Sequence, residues 1–209
     1  VAAVVTAPPI IRSLVRLRVG QVVRGDGPAS HLAKTGTPTM GGVIMLIATL
    51  AGSLVAAGSH VRDLGWALFV STGCGLIGML DDYISIVAHR PLGLRARQKL
   101  LFQLVLGLVL GAYGYVTPGL GSAIVIPFTR GAQLDLGVWY IPFVALVLVS
   151  ATNAVNLTDG LDGLAGGTVA IASFAYVAIA SRLGLPAVGV FAGAVGGAAL
   201  GFVWWNAHP

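Results

Sequence analysis

Long apolar windows recur along the chain, separated by short polar segments that hold nearly all of its charge. Six windows approach the ~20 residues that a membrane-crossing helix needs: about 40–58, 64–80, 100–117, 138–154, 164–181 and 187–205. Residues 1–11 read as the tail of a seventh. None carries Lys or Arg at its centre. A soluble domain this small cannot bury six such helices. The predicted fold class is therefore all-α: a polytopic transmembrane helical bundle of about six full spans plus the tail of another. One connection breaks the pattern. Between about 118 and 137, β-prone runs at Ile124-Val125-Ile126 and Leu134-Asp135-Leu136 flank Gly131, which predicts a small β-hairpin.

Composition sharpens this picture. The chain is 56% hydrophobic and 9% charged, with a mean hydropathy of +0.91. Soluble domains carry about 25% charged residues, so disorder, a coiled coil and an ordinary water-soluble domain are excluded. The last window holds Gly189, Gly193, Gly197 and Gly201, an i, i+4 ladder expected to form a helix-packing face. Cys74, the one cysteine, excludes an internal disulfide and reads as a small buried packing residue.

The net charge is +5, and too little of the chain is polar to build a nucleic-acid face. An anionic membrane surface or a phosphorylated substrate fits better. Counting Lys and Arg orients the spans. Arg12, Arg16, Arg18, Arg24 and Lys34 lie in one connection, and Arg90, Arg95, Arg97 and Lys99 in another on the same side. Only Arg62, Arg130 and Arg182 fall opposite. The basic side is expected in the cytoplasm, with the segment 153–163 and the end of the chain; the hairpin is expected outside.

All seven acidic residues are Asp, and four of them form two clusters at span ends on the cytoplasmic side. These are Asp81-Asp82, and Asp159 with Asp162 in the run from Asn153 to Gly163. Carboxylates at apolar span ends are costly unless they face water, a cation or a partner. Oxygen donors without a Cys/His cluster favour Mg²⁺ over Zn²⁺. Asn153, Asn156, Asp159 and Asp162 step by three, so on one helix they would drift slowly around a single face. Asp81, Asp82 and Asp159 are expected to converge on one cytoplasmic cavity. A second polar cluster runs from Ser30 to Gly42. There Lys34 offers a point charge for phosphate, Thr37 and Thr39 hydroxyls, and Gly36 and Gly41 backbone N–H groups.

The segments Gly20–Gly42, Leu80-Asp81-Asp82-Tyr83, Gly93-Leu94 through Lys99, Asn153–Ala165 and Asn206–Pro209 follow one another in order. Together they resemble the phospho-N-acetylmuramoyl-pentapeptide transferases of the polyprenyl-phosphate N-acetylhexosamine-1-phosphate transferase superfamily. The resemblance implies a multi-pass enzyme of the bacterial inner membrane with its active site on the cytoplasmic face. Such an enzyme transfers phospho-MurNAc-pentapeptide from UDP-MurNAc-pentapeptide to undecaprenyl phosphate, giving lipid I and UMP for peptidoglycan synthesis, with Mg²⁺. It implies catalytic roles for Asp81, Asp82 and Asp159. It implies metal contacts from Asp82, Asn156 and Asp159. Substrate contacts are implied for Lys34, Thr37, Lys99, Asn153, Asn156 and Asp162. A homodimer is left open.

The pattern departs from the family at Ser85, where a Lys is usual. The chain starts at Val1 and stops at Pro209 after an apolar segment. The expectation is one integral-membrane transferase domain over 1–209, a fragment of a larger protein that lacks C-terminal spans, a further Asp and a His-rich loop. The fragment alone is expected to insert in a membrane without transferring. The alternatives are a related UDP-HexNAc:polyprenol-phosphate transferase, a membrane transporter, and a catalytically silent scaffold.

Overall fold

The computed structural model describes residues 8–9, 41–61, 63–88, 93–117, 119–161 and 163–206. Six long helices dominate: α1 Gly42–Ala56, α2 Gly65–Val87, α3 Ala96–Val116, α4 Tyr140–Thr158, α5 Leu164–Leu183 and α6 Pro186–Asn206. Among the described residues, five helices are long and apolar enough to cross a membrane, α4 counting with the 3₁₀ turn before it. The first window yields less than its apolar length suggests. Helix α1 has 15 residues, because the chain turns at Gly58 with φ +51° into a short 3₁₀ segment. At 1.5 Å per residue it reaches ~22 Å, short of the ~30 Å hydrocarbon core.

The expected hairpin is present. Strand β1 (Ala123–Val125) pairs antiparallel with β2 (Gln133–Asp135), with Ile124 opposite Leu134. Its tip closes through the Thr129 hydroxyl, which donates to the Ile126 carbonyl at 2.7 Å and accepts from the Ala132 amide at 3.1 Å. Two residues of this turn are left-handed, Phe128 at φ +64° and Gly131 at φ +88°, and at the second glycine removes the strain.

The chain divides into two compact units: residues up to Arg95 with those from Leu157 onward, and Ala96–Asn156. In the first, α6 packs against both α5 and α1, and α1 also touches α2. Helices α5 and α6 are joined by two residues. Gly184 leaves α5 in the left-handed region, the Leu185 amide donates back to the Ala180 carbonyl, and Pro186 starts α6. A glycine stop followed by a proline start forces a tight antiparallel pair.

The glycine ladder of α6 does not stay on one face. A Cβ on Gly189 would lie 3.6 Å from Ala180, and one on Gly193 3.7 Å from Val177, both on α5. At the next turn Gly196 takes over, tight against Ser173 and Phe174, while nothing lies within 4 Å of Gly197. Steps of four advance about 400° around a helix, so such a ladder drifts by about 40° per step and leaves the seam.

In the second unit, α3 presents Gln103, Leu106, Gly107, Gly111 and Gly114 as its buried residues. A Cβ on Gly107 would lie 2.6 Å from the Ala145 Cα, and one on Gly111 2.6 Å from the Ile141 carbonyl oxygen. Absent side chains let α3 and α4 approach backbone to backbone, the packing mode of helices whose solvent is lipid. Cys74 on α2 is half-buried rather than enclosed.

Candidate functional site

Of the expected site residues, Asp81, Asp82, Lys99, Asn153, Asn156 and Asp159 are described; Lys34, Thr37 and Asp162 lie outside the described residues. Asp81 and Asp82 do not end their helix. Helix α2 continues to Val87, since Tyr83-Ile84-Ser85-Ile86-Val87 sustains its apolar run. Both carboxylates are half-buried on its last turns.

Asp81 has a defined local task. Its Oδ1 accepts the Leu94 amide at 2.7 Å, and Leu94 is itself buried. The turn carrying Leu94 reaches α2 because Gly93 has no side chain: a Cβ there would run into the Asp81 carbonyl oxygen and lie 2.8 Å from Oδ1. Gly93 and Leu94 are thereby held against the helix turn that carries both Asp residues.

The Asn/Asp run also differs from a single helical face. Helix α4 ends at Thr158, so Asn153 and Asn156 are helical, whereas Asp159 stands in the following turn. Gly163, at φ +76°, ends that turn and opens α5. A left-handed glycine keeps α4 and α5 from running on as one helix. Asn156 and Asp159 are exposed; Asn153 is half-buried.

Two motif segments arrive at the same end of α6. A Cβ on Gly41, which closes the Ser30–Gly42 cluster, would lie 2.6 Å from the Phe202 ring. One on Gly166, just past the Asp159 turn, would lie 2.5 Å from Val203 and 3.7 Å from Phe202. Gly163 also approaches Val203, at 3.6 Å. The entry to α1 and the start of α5 are therefore held together by Phe202 and Val203, next to Asn206.

Among the described residues, no three His, Cys, Asp or Glu side chains are gathered closely enough to hold a metal ion. Asp81, Asp82 and Asp159 are all described and are not gathered into such a cluster. Such hard oxygen donors suit Mg²⁺, which retains several waters. Lys99 sits half-buried in the first turn of α3.

One polar residue escaped the sequence reading. Gln103 is 4% exposed near the start of an apolar window, and its side-chain carbonyl accepts the Asn153 amide Nδ2 at 2.8 Å. The same Nδ2 donates to the Val149 carbonyl at 2.8 Å. The signal was an amide inside a span, where a polar group requires a partner.

Outside the helices, Asp135 of the hairpin accepts from the Ser122 hydroxyl and from the Gly137 amide. These bonds, Ser122 first, hold its carboxyl below the ordinary carboxylate range.

The family model for glycosyl transferase family 4 matches residues 64–209. A phospho-N-acetylmuramoyl-pentapeptide-transferase of Moorella thermoacetica is 50% identical over 100% of the chain and 66% of its own length. Proteins of the same name from Pelobacter propionicus and a Geobacter species are 45% and 41% identical over 98% and 99% of the chain. The chain covers 62% of each of those two, and so spans less than two-thirds of the curated relatives it matches.

Proposed function

Because the chain belongs to glycosyl transferase family 4, we propose that its protein transfers phospho-MurNAc-pentapeptide from UDP-MurNAc-pentapeptide to undecaprenyl phosphate. The products are lipid I and UMP. The observation that carries this reading is the Asn153–Ala165 run at the end of an apolar helix, in a chain 50% identical throughout to a relative of that name. The basic connections orient the spans so that this run and Asp81-Asp82 face the cytoplasm of a bacterial inner membrane. There a soluble nucleotide meets a phosphate held at the lipid interface.

Asp82, Asn156 and Asp159 would hold Mg²⁺, with Asp162 and Asn153 supporting them. The chemistry Mg²⁺ would supply there is screening of the pyrophosphate and stabilisation of UMP as leaving group. Asp81 or Asp82 would position the lipid phosphate or accept its proton. Lys34, Thr37 and Lys99 supply charge and a hydroxyl to the nucleotide phosphates. Gly41 and Gly166 both lie against Phe202, which supports a contribution from the start of α1 and the Asp159 turn to one nucleotide site.

The test is UMP release and lipid I formation by the purified full-length protein with both substrates and Mg²⁺. Release that requires both substrates supports the reading. Vesicle uptake of substrate with no UMP released would replace it with a transporter. Transfer from a UDP-HexNAc in preference to the pentapeptide substrate would move the protein to the related branch.

A further inference from the structure

Asn153 is placed among the substrate contacts by the family resemblance, but its hydrogen bonds assign it elsewhere. The Val149 carbonyl can only accept, so the Asn153 atom facing it must be the NH₂ group. That same group faces Gln103, whose facing atom must then be its carbonyl oxygen. Both orientations follow from one fixed backbone acceptor and need no further assumption about amide flips. An Asn side chain has two N–H donors, and here both are spent. Phosphate oxygens only accept. Asn153 therefore has no side-chain donor left for a pyrophosphate.

Its partner occupies a telling position. Gln103 begins the buried seam that continues through Gly107, Gly111 and Gly114, where α3 meets the α4 backbone. The glycines let α4 come close, but smooth small-residue surfaces do not by themselves fix the rotation of a helix about its axis. A directional bond between two side chains does. Asn156 follows Asn153 by three residues, one turn on and about 60° around.

We propose that Gln103 is a positioning residue: its side-chain carbonyl locks the Asn153 amide, and this pair sets the rotation of α4 and with it the direction in which Asn156 points. The inference rests on the transferase reading for its consequence in turnover, but not for the existence of the lock.

The test uses the full-length protein with Gln103→Met, Asn153→Leu, their combination, and Gln103→Glu, which keeps an acceptor oxygen whether protonated or not. Turnover and the melting temperature in detergent are both measured. Interhelical hydrogen bonds in lipid have modest strength, so each apolar variant should lose about three- to twentyfold in turnover. The double variant should fall no further than the worse single, and Gln103→Glu should stay nearer the parent than Gln103→Met. The melting-temperature shifts should be non-additive in the same sense. Parental turnover in Gln103→Met, or independent losses that multiply in the double variant, would overturn the lock. If the parent protein itself turns over neither substrate, the transferase reading fails instead, and additive melting shifts would still refute the lock without any substrate.

Discussion

Replacing Gly93 with Ala should open the turn that follows α2. The reason is space. A Cβ would collide with the Asp81 carbonyl oxygen and lie 2.8 Å from both the carbonyl carbon and Oδ1. The helix backbone cannot yield, so the turn must move, and the 2.7 Å bond from the Leu94 amide to Asp81 is lost with it. A hydrogen bond to a charged group is worth about 1.5–3 kcal/mol. That is about ten- to a hundredfold in the ratio of closed to open turn. Hydrogen exchange should show the Leu94 amide losing protection by this factor, and UMP release should fall as Asp81 loses its anchor. Gly78→Ala is the control. It lies on α2 with nothing within 4 Å of the added Cβ, and Ala suits a helix interior better. If Gly93→Ala keeps the Leu94 amide protected and the enzyme at parental turnover, the turn does not depend on this contact.

Three other outcomes are expected. Asp82→Asn and Asp159→Asn should each lower turnover by several orders of magnitude if these groups hold the metal, and parental rates in either variant would remove that residue from the site. Lys34→Ala should raise the KM for the UDP substrate about ten- to a hundredfold while leaving that for undecaprenyl phosphate near its parental value; an unchanged KM for the UDP substrate counts against a nucleotide contact. In the hairpin, Asp135 has a depressed folded-state pKa, so the stabilisation it gives is complete above the ordinary carboxylate value and is lost as pH falls through the depressed one. Ser122→Ala should raise the Asp135 titration toward the ordinary range in an NMR titration, and an unmoved midpoint would show that this hydroxyl is not the cause.

Hydrophobic run length made the helices legible, because lipid demands the same thing of every span. The hairpin was legible because Gly131 and the β-prone runs beside it are local signals. What escaped the sequence depends on pairs far apart in it. Gln103 barely alters the hydropathy of its window, and its meaning appears only with Asn153 fifty residues on. Gly93 was visible as part of a motif, but its contact with Asp81 was not. Spacing by three suggested one helical face for Asn153 through Asp162, and the left-handed Gly163 shows that the chain turns there instead. The α6 ladder misled in the opposite way: its four glycines are regular in sequence but spiral around the helix.

The two-residue connection between α5 and α6 bears on how the protein is made. Gly184 and Leu185 are the whole connection, so beyond the exposed Arg182 in the last turn of α5 little polar chain has to be carried across a bilayer. Neither helix can finish crossing as a separate event with its partner still waiting in water, since the far end of one is the near end of the next. A pair that enters the membrane together brings Gly196 against the buried Ser173 and the more exposed Phe174 as it inserts. A substitution that swells this seam would therefore show itself first in how much protein reaches the membrane, before any effect on the chemistry could be measured.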